Sequence, residues 1–145
     1  MSTAGRLTLD DRVALETLVY AYNVAADERD AEGYAALFTA DGVWDGMLGR
    51  FEGQEGLRAL CAKIAATPAL DGTRHWPNNI VIEGDSAAGT ATLGLDNVLV
   101  KALPDGPVLF SASRSEATAV KVAGRWLFRE RLVTAAAAVP APASG

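Results

Sequence analysis

Past Pro68 the chain stops repeating at helical spacing and begins to alternate, and this change of period limits the fold more than any other feature. His75–Glu83, Ser86–Lys101, Pro107–Val122 and Arg125–Thr134 read as strands. Turn chemistry separates them: Gly84-Asp85, Pro104-Asp105-Gly106 and Ala123-Gly124. Consecutive strands on short turns pair antiparallel. Two of them run well past the usual length of about five or six residues, so they must twist and bend. Gly89 and Gly94 are natural places for that.

The first third of the chain reads as helical. Thr8 followed by Asp11 is a weaker capping box, with Asp in the Glu role, and Val13, Leu18, Val19 and Tyr22 then fall on one stripe. The run Asp27-Glu28-Arg29-Asp30 ends it, and Asp30 caps a second, short helix carrying Tyr34, Leu37 and Phe38. Ala40-Asp41-Gly42 reads as a turn, and Val43–Met47 with Arg50–Glu52 as a hairpin around Leu48-Gly49. Leu57, Leu60, Cys61 and Ile64 define a third helix over residues 54–66. Helices first, then consecutive hairpins, make an α+β domain with an antiparallel sheet. A long curved sheet closed by helices on its concave side leaves an apolar pocket between the layers.

The 145 residues suit one domain, residues 1–134, with a sizeable core. The net charge of −5, with scattered Lys and Arg, excludes a phosphate-binding surface and so a nucleic-acid partner. The opening residues MSTAGRLTLDDR carry no apolar segment of a secretory signal, and no stretch approaches a membrane span; a cytoplasmic protein without a membrane partner is expected. Cys61 stands alone between Leu60 and Ala62 and is expected to be a buried hydrophobe. Residues 135–145, AAAAVPAPASG, are low-complexity and interrupted by proline, and are expected to be disordered.

The order of these elements and several local motifs resemble the SnoaL-like branch of the NTF2-like superfamily. The resemblance is carried by Tyr20-Ala21-Tyr22 through Asp27 and Asp30, by Tyr34–Asp45, by Arg74-His75-Trp76-Pro77-Asn78-Asn79 leading to Gly84-Asp85-Ser86-Ala87, and by Gly124-Arg125-Trp126-Leu127-Phe128. It implies an NTF2-like cone, a bent antiparallel sheet packed on N-terminal helices around an apolar pocket. Members include scytalone dehydratase, bile-acid 7α-dehydratase, ketosteroid isomerase, polyketide cyclases and the small subunits of ring-hydroxylating dioxygenases, so the fold leaves the function open. The dehydratases pair a helix-borne Asp with a strand-borne His, positions that Asp27 and His75 match, and Tyr22 matches a pocket tyrosine of the bile-acid enzyme. Asn97, Ser113 and Ser115 fall where scytalone dehydratase has further pocket groups, although Asn97 stands in place of a histidine and Ser115 in place of an asparagine. The resemblance also implies a homodimer or homotrimer that covers the outer sheet face.

The residues taken alone leave alternatives. His75 is the one histidine, and a structural role competes with a catalytic one. Asp27, at a helix end whose dipole opposes it by about 0.3–1 kcal/mol, is either a solvated stop or a carboxylate that orients an imidazole. Tyr22 lies roughly 140° around the helix from Asp27, so a shared pocket requires an unwound helix end or a cavity that wraps it, and Asn23 is the easier neighbour. Phe38, Met47, Leu57, Leu60 and Trp76 read as core, with Trp44 assigned to the cavity wall. Asp45 is a pocket acid or a solvated residue. Arg129 and Arg131 share one strand face, with Arg131 in reach of an anionic substrate group.

An Asp–His pair in an apolar chamber suits proton abstraction α to a carbonyl, giving dehydration where a β-hydroxyl can leave. Without a leaving group the same pair isomerises, and with a carbonyl partner it cyclises by aldol chemistry. The expectation is a lyase acting on a small apolar hydroxylated cyclic, polyketide- or steroid-like substrate; a non-catalytic binding or assembly subunit is the alternative from another class. One histidine, and neither an HxxxH nor a CxxC pattern, point to no metal, and the lack of a glycine-rich phosphate loop points to no organic cofactor. Activity should therefore survive exhaustive chelation; loss to a chelator with recovery on adding a divalent ion would overturn this.

Overall fold

In the computed structural model, which describes residues 5–136 and 142–143, Thr8 starts the first helix by accepting the Asp11 N–H at 3.1 Å. Only half of the capping box forms. Asp11 does not reach back. Its carboxylate turns inward to accept the Trp126 indole N–H at 2.7 Å and the Lys121 ammonium at 2.9 Å. Helix α1 (Leu9–Asp27) then buries Leu15, Leu18, Val19 and Tyr22, each worth about 1.5–3 kcal/mol. Asp11 heads that buried stripe, which leaves Val13 off it and 56% exposed.

Asp30 caps α2 (Ala31–Ala35) by accepting the Gly33 N–H at 2.9 Å. The helix is shorter than expected, because Phe38 already begins β1 (Phe38–Gly46) and pairs with Phe128. Ala40-Asp41-Gly42 is accordingly no turn but part of an irregular stretch within β1. Met47-Leu48 link β1 to β2 (Gly49–Glu52), one residue earlier than the spacing indicates. Helix α3 (Gly53–Ala65) buries Leu57, Leu60, Cys61 and Ile64 and packs on α2 and β1. A 3-10 turn (Pro68–Leu70) leads into β3 (Thr73–Asp85), β4 (Thr90–Leu103), β5 (Gly106–Val122) and β6 (Arg125–Ala135). The β3–β4 turn is Ser86–Gly89 rather than Gly84-Asp85, with Gly89 at φ +68°. Strand β6 and the Ala136 N–H bond to the Ala112 carbonyl at 3.0 Å carry the ordered chain past Thr134. The rest of the tail, apart from residues 142–143, lies outside the described residues.

The strands form one sheet in the order β2-β1-β6-β5-β4-β3. Every pair is antiparallel except β1 with β6, which the long intervening chain allows to run parallel. Bulges bend it. Strand β3 takes an extra residue against β4 between Asn78 and Val81, where Asn79 has φ +52°, and Gly94 pairs at that point. Strand β5 takes one at Phe110 and β6 one at Arg129. Each bulge bends its strand and reverses which residues face inward beyond it. Helix α1 lies against β3 and β6 in the resulting hollow. No helix among the described residues is long and apolar enough to cross a membrane.

The nearby Ser86 hydroxyl, then the hydrogen bonds from Trp126 and Lys121, hold the buried Asp11 carboxyl far below its ordinary value of 3.8. A depressed folded-state value stabilises the fold above the ordinary range, and that contribution is lost as pH falls below it. The stability gap between wild type and Asp11→Asn should be widest near neutrality and shrink progressively below pH 3.8, as read by thermal melts. A pH-independent gap would contradict the assignment.

Candidate functional site

Asp27 is the last residue of α1, and its side chain is 7% exposed. His75 is the third residue of β3, opposite Leu99, and turns its ring inward while Trp76 faces outward, 57% exposed rather than in the core. The two meet. The His75 backbone N–H donates to both Asp27 oxygens, at 3.0 and 3.1 Å, and His75 Nδ1 lies 2.7 Å from Asp27 Oδ1. Each hydrogen bond to a charged group is worth about 1.5–3 kcal/mol, which outweighs the opposing helix dipole of about 0.3–1 kcal/mol. A carboxylate oxygen accepts, so Nδ1 carries a hydrogen, and in the neutral ring the free lone pair is on Nε2.

The His75 ring lines a cavity of about 330 Å³ between the concave sheet face, α1, α3 and the β1–β2 turn. Such a volume sits at the small end of ligand pockets. Tyr22, Ala26, Trp44, Met47, Ile64, Leu70, Leu99 and Phe110 supply most of its wall, and Asn97, Ser111 and Ser113 form a polar strip across it. Asn97 and Ser113 are register partners on β4 and β5. Helix α1 remains helical through Asp27, so the cavity wraps its end and receives Tyr22 from one side and the Asp27-bound imidazole from the other. Asn23 instead donates to Asn97 Oδ1 at 3.3 Å. Asp45 is half exposed and pairs with Arg50 at 3.3 Å, which leaves it outside the cavity.

The Tyr22 hydroxyl accepts from Tyr34 Oη and from Trp44 Nε1, both at 2.9 Å. Those bonds occupy its two lone pairs and leave its own proton without an acceptor among the described residues. Burial, then the neighbouring Tyr22, push the Tyr34 phenol well above the ordinary tyrosine value, so Tyr34 stays a donor. Behind Tyr22 lies Arg131, fully buried, its Cζ 3.8 Å from the Tyr22 ring centroid. Arg131 Nη2 donates to Ser115 Oγ at 3.3 Å, while its Nε and Nη1 have no hydrogen-bond partner among the described residues.

Of the sequence candidates, Tyr22, Trp44, His75, Asn97 and Ser113 line the cavity, Asp27 touches it through His75, and Ser115 and Arg131 lie one layer behind its wall. Arg129 and Arg131 do not share a face. The bulge at Arg129 leaves Arg129 and Glu130 both outside and brings Arg131 in. Sequence reasoning missed Tyr34, Ser111 and Arg29, and it set Asn23 beside Asp27 rather than Asn97. The helical spacing of Tyr34 signals burial but not the bond to Tyr22, and nothing signals Ser111 or Arg29. Among the described residues no group of three or more His, Cys, Asp or Glu is placed to hold a metal.

A family model of the SnoaL-like domain matches residues 7–132. Among solved structures the chain is similar to a Nostoc punctiforme protein of unknown function with a cystatin-like fold, at 24% identity and TM-score 0.82, covering 93% of this chain and 98% of that one. It is similar to an NTF2-like protein with a cystatin-like fold from Novosphingobium aromaticivorans, at 22% identity and TM-score 0.78, covering 88% and 82%. It is also similar to Aln2 from a Streptomyces species, at 22% identity and TM-score 0.77, covering 90% and 93%. Identities this low show the fold alone. No match was found among curated proteins.

Replacing Tyr22 by Phe would strand the Trp44 N–H and leave the Tyr34 hydroxyl without its acceptor in an apolar surround. Tyr22→Phe should lower stability by about 1–3 kcal/mol in urea denaturation. A neutral effect would show that the cluster rearranges freely.

Proposed function

The chain belongs to the family of SnoaL-like domains, and we propose that within it the Asp27–His75 pair serves a cofactor-independent lyase of dehydratase type. The substrate is a small, apolar, hydroxylated cyclic compound of polyketide- or steroid-like shape. One observation carries the reading: the only imidazole is held at Nδ1 by a buried carboxylate, 2.7 Å away, while its ring faces a largely apolar cavity. A structural histidine does not need its free nitrogen in such a chamber.

In this reading His75 Nε2 takes a proton from the carbon α to a carbonyl, and the electron pair moves onto the carbonyl oxygen. Asp27 holds the tautomer and balances the charge that the ring acquires. The enolate oxygen accepts the unused Tyr22 proton, and the buried Arg131 cation behind the Tyr22 ring favours negative charge there. Collapse of the enolate expels the β-hydroxyl, which leaves as water with the proton from His75. Asn97 and Ser113, which line the same cavity, hold substrate oxygens in this reading. Without a leaving group the same abstraction isomerises, and product analysis separates the two. On the convex face, exposed Trp76, Val81 and Leu132 support self-association as a homodimer or homotrimer.

The test uses a panel of bicyclic β-hydroxy ketones in heavy water, following enone absorbance and deuterium at the α carbon. His75→Ala should lower turnover by roughly 10²–10⁴-fold. Asp27→Asn should lower it too, and the double variant should lose little more, because the pair acts as a unit. Near wild-type turnover in a folded His75→Ala protein would end this reading.

A further inference from the structure

Directly after the helix that carries Asp27, a residue other than glycine occupies the left-handed region: Arg29 has φ +58°. It closes α1. The Arg29 N–H donates to the Ala26 carbonyl at 3.2 Å and the Asp30 N–H to the Ala25 carbonyl at 2.9 Å. Glycine is the ordinary occupant of this position, because a Cβ is strained there. What arginine adds is its guanidinium, whose Nη1 donates to the Ala26 carbonyl and Nη2 to the Leu70 carbonyl, both at 2.7 Å. The Leu70 carbonyl also accepts from Thr73 Oγ1 at 2.7 Å, and Thr73 begins the strand two residues before His75. One planar side chain therefore fastens the helix end bearing Asp27 to the turn that feeds His75.

We propose that Arg29 is a positioning residue for the Asp27–His75 pair: its guanidinium brackets the two chain segments so that the imidazole and carboxylate meet at the observed distance. The inference rests on the reading of that pair as the reacting centre. Arg29 also lines the cavity beside His75, so the bracket sets part of the wall as well. Lysine cannot replace it, since an ammonium lacks the fork that reaches two carbonyls at once. The strained backbone is the sign that something other than stability keeps arginine there.

The experiment reads the Nδ1–H resonance of His75, which is unambiguous because the sequence holds one histidine. Wild type should show this proton at low field and slow to exchange with solvent, and Asp27→Asn should abolish both features. Arg29→Gly relieves the backbone strain but loses both guanidinium hydrogen bonds, so it should stay folded and melt a few degrees below the wild type. Its Nδ1–H should nonetheless exchange about tenfold faster or more, and turnover on the β-hydroxy ketones should fall in step. Arg29→Asn, whose residue type also tolerates the left-handed region, repeats the measurement if the glycine variant does not fold. Wild-type exchange in a folded Arg29→Gly protein would overturn the proposal and leave the pair intact. So would losses that merely track a lower melting temperature. An unprotected Nδ1–H in the wild type would instead remove the pair itself, and this proposal with it.

Discussion

Asp27 carries a negative charge at the end of a helix that disfavours it, and it stays because β3 delivers hydrogen-bond donors to both of its oxygens. Much of the site depends on that junction. It ties the helical layer to a sheet edge 48 residues away in sequence. It also chooses the imidazole tautomer, and it fixes how far the end of α1 can stand off the sheet. The cavity occupies the space so defined.

The second layer of the site follows a different logic. Around Tyr22 the rings of Tyr34, Phe38 and Phe128 pack with centroids between 4.9 and 6.2 Å away. Into this apolar cluster the fold inserts a buried guanidinium with no carboxylate at ion-pair distance among the described residues. Leaving a buried cation without an ionic partner costs several kcal/mol. The faces of Tyr22 and Phe128 recover part of it through cation–π attraction, on the order of 2 kcal/mol where water is absent. A fold selected for stability alone would put an aliphatic residue there.

Much of the fold was legible because it rests on local chemistry. Alternation marked the strands from His75 to Thr134, and Thr8 and Asp30 announced two helix starts that their side chains do cap. The pairing of Asp27 with His75 came from the resemblance; neither spacing nor composition links residues so far apart. What stayed hidden was decided by tertiary packing. Trp76 looked like core because it is a tryptophan, yet its neighbour His75 takes the inward position and alternation sends Trp76 out. Ala40-Asp41-Gly42 has the composition of a turn, but β6 captures both flanks of the segment and holds it as an irregular strand. Bulges leave almost no mark in a sequence, so the facing of Arg131 could not be counted from Arg125.

That last point reaches beyond one arginine. Were β6 regular past Phe128, Glu130 would point inward and Arg131 out, so the extra residue at Arg129 exchanges a buried anion for a buried cation. The sign of the charge beneath the cavity is thus a matter of phase along the strand as much as of which amino acids are present. Relatives could invert the electrostatics of the same pocket by shifting a bulge, with every residue type retained, and column-by-column comparison of their sequences would miss it.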